Sequence, residues 1–84
     1  MFFTYIIYSK SLNKYYIGYT ANLEQRLREH INHTKGYTGK ASDWNLVYYD
    51  SFIEKDAALK REIEIKKWKS RKKIEELISS KKLD

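Results

Sequence analysis

Tyr15–His30, YYIGYTANLEQRLREH, sets three tyrosines and a glycine within five residues, then Arg26 and His30 one helical turn apart. These side-chain types can do more than pack. A guanidinium presents a planar fork that matches two oxygens of a phosphate. An imidazole, with an ordinary pKa of about 6.5, exchanges a proton near neutral pH. A phenol combines an apolar ring with a polar tip. Two readings stand side by side: a tyrosine-rich packing solution, or the floor of a site that handles phosphate. Under the first, Arg26 is a helix-surface partner of Glu29 or Glu24, and the tyrosines are half-buried strand aromatics with satisfied hydroxyls.

A further group with chemical potential lies downstream. From Glu54 to about Lys69 the chain carries a continuous helical pattern. On a wheel with Ala58 at zero, Leu59 falls at about 100°, Ile63 at about 140° and Ile65 at about 340°. These residues define the apolar arc, with Trp68 at its edge. Glu62 lands at about 40°, inside that arc, whereas Glu64 falls on the solvent side. A core-facing carboxylate is costly unless it is paired or ligates a metal. An ion pair with Lys66, one turn later, is the commoner of the two solutions.

Several elements must hold these groups. Phe3–Tyr8 (FTYIIY) and Lys14–Tyr19 (KYYIGY) are predicted strands, and the polar SKSLN between them allows only a hairpin. Pairing Tyr5 with Tyr16 sets Tyr8 opposite Asn13, leaves a loop of about four residues and puts the two tyrosines on one sheet face. Leu23, Leu27 and Ile31 mark an amphipathic helix over Ala21–Ile31. Thr20 or Asn22 can cap it, and Asn22 with Gln25 has capping-box spacing. Asn32–Asn45 reads as a loop long enough to be functional. Leu46–Ile53 is the third predicted strand. After the Glu54–Lys69 helix, Ser70 caps a last one carrying Ile74, Leu77 and Ile78. The expected fold is α+β, a small three-stranded antiparallel sheet flanked by helices in the order ββαβαα. It forms one domain over residues 1–80, with a fraying tail at 81–84.

Composition narrows the function. A chain of 84 residues holds one modest core. Its lack of cysteine excludes disulfides and thiolate metal sites. The sequence contains no P-loop and no nucleophilic triad. No apolar run reaches the roughly 20 residues of a membrane span, and the N-terminus lacks a secretion-signal pattern, so no membrane is expected and the cytoplasm is the expected compartment. The net charge is +6, and between Lys60 and Lys73 eight basic residues face only Glu62 and Glu64. That asymmetry suits a polyanion, nucleic acid above all, against the alternative of a solvated helix surface. Gly36-Tyr37-Thr38-Gly39 has the GxxG form of a KH backbone clamp, but a strand follows too soon. His30 and His33 lack the companions of a metal site.

The combination is more specific than its parts. Tyr16-Ile17-Gly18 has Tyr5 eleven residues before it, and Arg26 and His30 follow. Ala58-Leu59-Lys60-Arg61-Glu62, then Ile65-Lys66, comes after the third strand. Together these resemble the GIY-YIG nuclease family, especially its small single-domain members related to the N-terminal module of the excinuclease C subunit. The match runs from about Phe3 to Ile78. Two departures stand out. Phe3-Thr4-Tyr5 keeps only the tyrosine of Gly-Ile-Tyr, and nothing after Asn45 supplies the asparagine that some members carry near the domain's end.

The resemblance implies a metal-dependent endonuclease that hydrolyses phosphodiester bonds in DNA, branched or damaged DNA included, in a DNA repair setting. It implies one divalent ion, Mg²⁺ or Mn²⁺, with Glu62 as the sole protein ligand, which suits a hard cation that keeps several waters. Arg26 would pair with the scissile phosphate. Tyr16 would activate or position the attacking water, Tyr5 would orient Tyr16 or a phosphate, and His30 is the other candidate base. Gly18 would let the phosphate approach closely. Tyr19, Lys35, Lys40 and the lysines from Lys66 onward would touch the nucleic-acid backbone. Larger members of the family carry a second domain for recognition; none is expected here, and a protein partner for targeting is a further expectation. The rival is a non-catalytic nucleic-acid-binding module of the same fold, and a scaffold for an acidic protein is the third alternative.

Overall fold

Three runs rich in β-branched and aromatic residues pair as β1 (Phe2–Ser9), β2 (Lys14–Thr20) and β3 (Trp44–Phe52). The computed structural model that contains them describes residues 1–32 and 41–81. Helices α1 (Leu23–Asn32), α2 (Lys55–Trp68) and α3 (Arg71–Ser80) complete the order ββαβαα. The sheet is antiparallel throughout, in the order β2-β1-β3, so β1 is central. Helices cover both faces, which is why β1 reads as a continuous apolar run and buries Thr4, Tyr5, Ile6 and Ile7.

The two faces carry separate cores. Tyr5, Ile7 and Trp44 pack with Leu23 and Leu27 of α1. Ile6, Ile17, Tyr48 and Ile65 pack on the other side with Trp68 and with Ile74, Leu77 and Ile78 of α3. A bulge in β3 serves this division. The register steps from Ile6 opposite Tyr48 to Ile7 opposite Leu46, leaving Val47 as the extra residue. Leu46 thereby joins the α1 core while Val47 and Tyr48 join the other.

The hairpin register differs from the expected one. Tyr5 lies opposite Gly18, and Tyr16 opposite Ile7, a shift of two residues. Because side chains alternate with period two, the shift leaves Tyr5 and Tyr16 on the same face. The turn is displaced accordingly, closing with Asn13 in the left-handed region at φ 54°. Asparagine is among the few non-glycine residues that adopt it readily. Its side chain accepts from the Tyr8 hydroxyl at 2.7 Å and from Arg71 of α3 at 2.7 Å, which ties the turn to the last helix.

β3 begins at Trp44, two residues before the predicted start. Polar neighbours masked the strand signal, but the Asp43 carboxylate accepts from Ser9 Oγ at 2.6 Å and Ser11 N at 2.8 Å. These bonds brace the chain on the β1–β2 turn as it enters the sheet. Both predicted caps form: Asn22 Oδ1 accepts from Gln25 N at 3.1 Å and Ser70 Oγ from Lys73 N at 3.2 Å. Gln25 directs its amide to Glu29 rather than back to the cap, so the box is half closed. On α2, Ala58 and Ile65 are buried as expected, but Ile63 is 46% exposed and leaves the apolar arc. Lys81, expected in the fraying tail, caps α3 and bonds to Asp50 at 2.9 Å. The side chain of Ile31 and residues 82–84 lie outside the described residues.

Candidate active site

Tyr5 is the centre of the site. It is fully buried on β1, directly opposite Gly18 of β2. A Cβ on Gly18 would stand 2.6 Å from the Tyr5 hydroxyl oxygen and 2.8 Å from its Cζ, both well inside contact distance. The glycine of Tyr-Ile-Gly therefore makes room for the phenol itself, which lies across it. Buried beneath that ring, Gly18 offers no open surface.

Helix α1 brings the next two groups. Leu23 and Leu27 bury one stripe against the sheet, and that roll of the helix aims Arg26 and His30 at the tyrosines. His30 is buried, and its Nε2 lies 2.7 Å from the Tyr5 hydroxyl. The imidazole sits between two phenols, with ring centroids 5.7 Å from Tyr5 and 5.2 Å from Tyr16. Arg26 pairs with Glu29, Nη1 to Oε1 at 3.1 Å, so the surface partnership foreseen for it is present. The same guanidinium also faces the Tyr5 hydroxyl, and that contact is the main cause of its raised pKa. Glu24 pairs with Arg28 instead.

The electrostatics follow from burial. Loss of water pushes the Tyr5 phenol up to about 12; Arg26 opposes the rise, while Tyr16 and Glu62 add to it. Burial, and then the Arg26 charge, lower the pKa of His30, with Glu29 acting the other way. At neutral pH the pair is therefore a protonated phenol beside a neutral imidazole.

Glu62 enters from α2, on the opposite side of the sheet from α1. Its side chain is only 13% exposed, and Oε2 lies 2.6 Å from Lys66 Nζ. The ion pair foreseen from the helical wheel is thus formed. It satisfies one oxygen only: Oε1 is buried, with no hydrogen-bond partner among the described residues. The carboxylate contributes to the raised pKa of Tyr5, which puts it within electrostatic reach of the phenol. An orphaned anionic oxygen is the donor a hard divalent cation takes, and Lys66, half exposed, can swing away from it. Among the described residues no group of three or more His, Cys, Asp or Glu side chains could hold a metal. A cation here would rest on Glu62, water and phosphate.

The other predicted contacts fall elsewhere. Tyr19 is opposite Thr4, on the α2 side of the sheet and away from Tyr16. Lys66 is taken by Glu62. Lys35 and Lys40, with the Gly36–Gly39 loop and His33, lie outside the described residues. Two features carried no motif signal. Thr4 Oγ1 donates to the Ala58 carbonyl at 2.6 Å, fastening the first turn of α2 to β1; a hydroxyl in an otherwise apolar strand was the available clue. Asp50, Tyr48 and Arg61 form a polar network on the flank of α2 opposite Glu62. An aspartate within an aromatic strand was its only trace.

A three-stranded sheet with two tyrosines against an arginine–histidine helix, and a glutamate from the helix after the third strand, defines a nuclease-type domain. Comparison with known proteins gives the family: residues 1–75 match the GIY-YIG catalytic domain, and the chain belongs to the GIY-YIG family. It is 39% identical over 74 residues to the UPF0213 protein SH2523 of Staphylococcus haemolyticus, covering 86% of this chain and 88% of that one. It is 39% identical over 82 residues to the UPF0213 protein CPE1444 of Clostridium perfringens, covering 96% and 86%. The solution NMR structure of the UPF0213 protein BH0048 from Bacillus halodurans superposes with a TM-score of 0.60 at 31% identity, covering 96% of this chain and 86% of that chain. GIY-YIG nucleases are generally dependent on a divalent metal. Among the described residues, no helix is long and apolar enough to cross a membrane.

Proposed function

We propose that this protein is a metal-dependent endonuclease that hydrolyses phosphodiester bonds in DNA, with residues 1–80 acting as one catalytic domain. The observation that carries this reading is Glu62, a nearly buried carboxylate with one oxygen unpartnered among the described residues, in electrostatic reach of Tyr5. Glu62 would hold the single Mg²⁺ or Mn²⁺ ion, which when bound polarises the phosphate and stabilises the departing oxygen. Arg26 binds the scissile phosphate. Its present partner, Glu29, is half exposed, and such pairs are weak enough for a phosphate to replace.

The remaining roles divide by exposure. Tyr16 is partly exposed and takes the attacking water. A neutral phenol cannot hold a second proton, so its part is to orient the water and, as it takes the water's proton, to hand its own to a neighbouring base. His30 backs Tyr16 through its ring and is the alternative acceptor. Tyr5, sealed from water, touches no substrate; it positions His30 and Arg26. Exposed lysines such as Lys60, Lys67, Lys69, Lys72 and Lys73 supply sequence-independent backbone contacts. Lys35 and Lys40 are proposed to add to that track, and Tyr19 to contact backbone on the α2 side.

A cleavage panel over duplex, flap, junction and single-stranded DNA and RNA, with Mg²⁺ or Mn²⁺, tests this reading. We expect Arg26→Ala to cut at least about a hundredfold more slowly than wild type while nucleic-acid affinity changes little, since it is one phosphate contact among many. Wild-type rates for Arg26→Ala would remove it from the site. The Lys66–Glu62 pair favours one second reading, a binding module in which the lysine has taken the cation's place. Salt-dependent binding without cleavage of any substrate would establish that reading instead.

A further inference from the structure

Helix α2 is held in a roll that turns a carboxylate inward. Its fully buried stripe is Ala58 and Ile65, seven residues apart and one side chain wide. Beside that stripe Glu62 is turned inward with an unpartnered oxygen, while Ile63 is turned outward. A modest roll toward the Arg61 flank would return Glu62 to water while Ala58 and Ile65 stay against the sheet, and so relieve its buried oxygen. Some other interaction must resist it.

That interaction lies on the far flank. On the helix, Arg61 and Glu62 stand about 50° to either side of the Ala58–Ile65 stripe. A roll that lifts Glu62 out must turn Arg61 inward and off its partners on β3. Arg61 is fixed there: Nε donates to Asp50 Oδ2 at 3.2 Å and Nη2 to the Tyr48 hydroxyl at 3.3 Å. Asp50 is itself held, by the Tyr48 hydroxyl on Oδ2 and by Lys81 Nζ on Oδ1 at 2.9 Å. Arg61 is braced along its own helix by Glu64 at 2.8 Å and by the Trp68 ring, 5.9 Å from its guanidinium carbon. These groups are only about a quarter exposed, so the bonds compete with little water.

We infer that the Asp50–Arg61 bridge is the device that aims Glu62: Asp50, Tyr48 and Arg61 are positioning residues that set the roll of α2 and keep the carboxylate turned into the site. Thr4, bonded to the Ala58 carbonyl, fixes the height of the helix, because a bond to the backbone holds position along the axis. The bridge fixes its rotation. The functional half of the inference rests on the nuclease reading; the roll itself does not.

The chain contains no cysteine, so single cysteines report the roll directly. Glu62→Cys and, on the opposite flank, Ala57→Cys are made separately, each with and without Asp50→Asn, and thiol labelling rates are measured on the folded proteins. Asp50→Asn should speed labelling at position 62 by at least about fivefold and slow it at position 57, because the two lie on opposite flanks of the Ala58–Ile65 stripe and a roll moves them in opposite senses. Faster labelling at both, or unchanged rates, would overturn the inference. Arg61→Lys, which keeps the charge but loses the fork, should give the same signature more weakly and serves if Asp50→Asn does not fold. In cleavage, Asp50→Asn should raise the Mn²⁺ concentration for half-maximal rate at least about fivefold with nucleic-acid affinity within about twofold. An opposite-sense labelling change with unaltered Mn²⁺ dependence would retain the roll and refute its role in catalysis. If the wild type cuts nothing, the nuclease reading fails and the labelling result still decides the roll.

Discussion

Gly18 shows how one residue type serves the site through its neighbour. Its missing Cβ is where the Tyr5 phenol lies, so the glycine sets the place of the tyrosine. Gly18→Ala should cost about 1–3 kcal/mol by overpacking, measured by denaturant melts, and should displace the Tyr5 ring from His30. The sequence offered an access reason for this glycine; the collision with Tyr5 is visible only once register is known. Tyr5 also makes a testable contribution to pH dependence. Its folded pKa, about 12, lies above the ordinary value of 10.0, so the unfolded chain loses this proton first as pH rises. The associated stability is whole below about pH 10 and lost by about pH 12, on the order of 2–3 kcal/mol. Urea melts from pH 9 upward should show wild type falling more steeply than Tyr5→Phe by about that amount; parallel profiles would mean that the phenol is not desolvated in the fold.

At the scale of elements, the periodicities were legible because each strand or helix buries one repeating face. The FTYIIY and KYYIGY strands, the Leu23–Leu27 helix and the Ser70 cap all stand where the pattern put them. What did not show is contact between elements. The two-residue slip of the hairpin preserves facing, so the pattern of side chains has no power to detect it. Ile63 looked like core because a wheel ranks residues by type, but it stands at the far edge of the apolar arc, about 150° from the Ala58–Ile65 stripe, and is exposed. Helix α3 gives a clean test of local reading. Ser70→Ala removes the acceptor for Lys73 N and should cost about 1 kcal/mol, lowering the melting temperature by about 4–8 °C. Calorimetry would show it, and an unchanged transition would mean that packing of Ile74, Leu77 and Ile78 alone holds the helix.

For the whole molecule, the fold solves a problem of separation. Tyrosines and the Arg26–His30 pair stand on one side of a three-stranded sheet, and the helix bearing Glu62 covers the other. The glutamate's placement in the core-facing arc was legible from its wheel position, and so was its partnership with Lys66. Its second, unpartnered oxygen was not, since satisfaction of a single atom depends on every neighbour at once. Arginines in the basic segment are spent internally, Arg61 on Asp50 and Glu64 and Arg71 on Glu75, while Lys60, Lys67, Lys69, Lys72 and Lys73 face solvent. The measurement that bears most directly on the account compares wild type with Glu62→Gln, an isosteric change that removes the charge. Without metal, the variant should melt no lower than wild type, because relief of a buried, unpaired carboxylate oxygen offsets loss of a half-exposed pair. With Mn²⁺ and a substrate the wild type cleaves, single-turnover cutting should fall at least about a hundredfold while binding stays within about twofold. A variant that cuts at the wild-type rate would contradict the account.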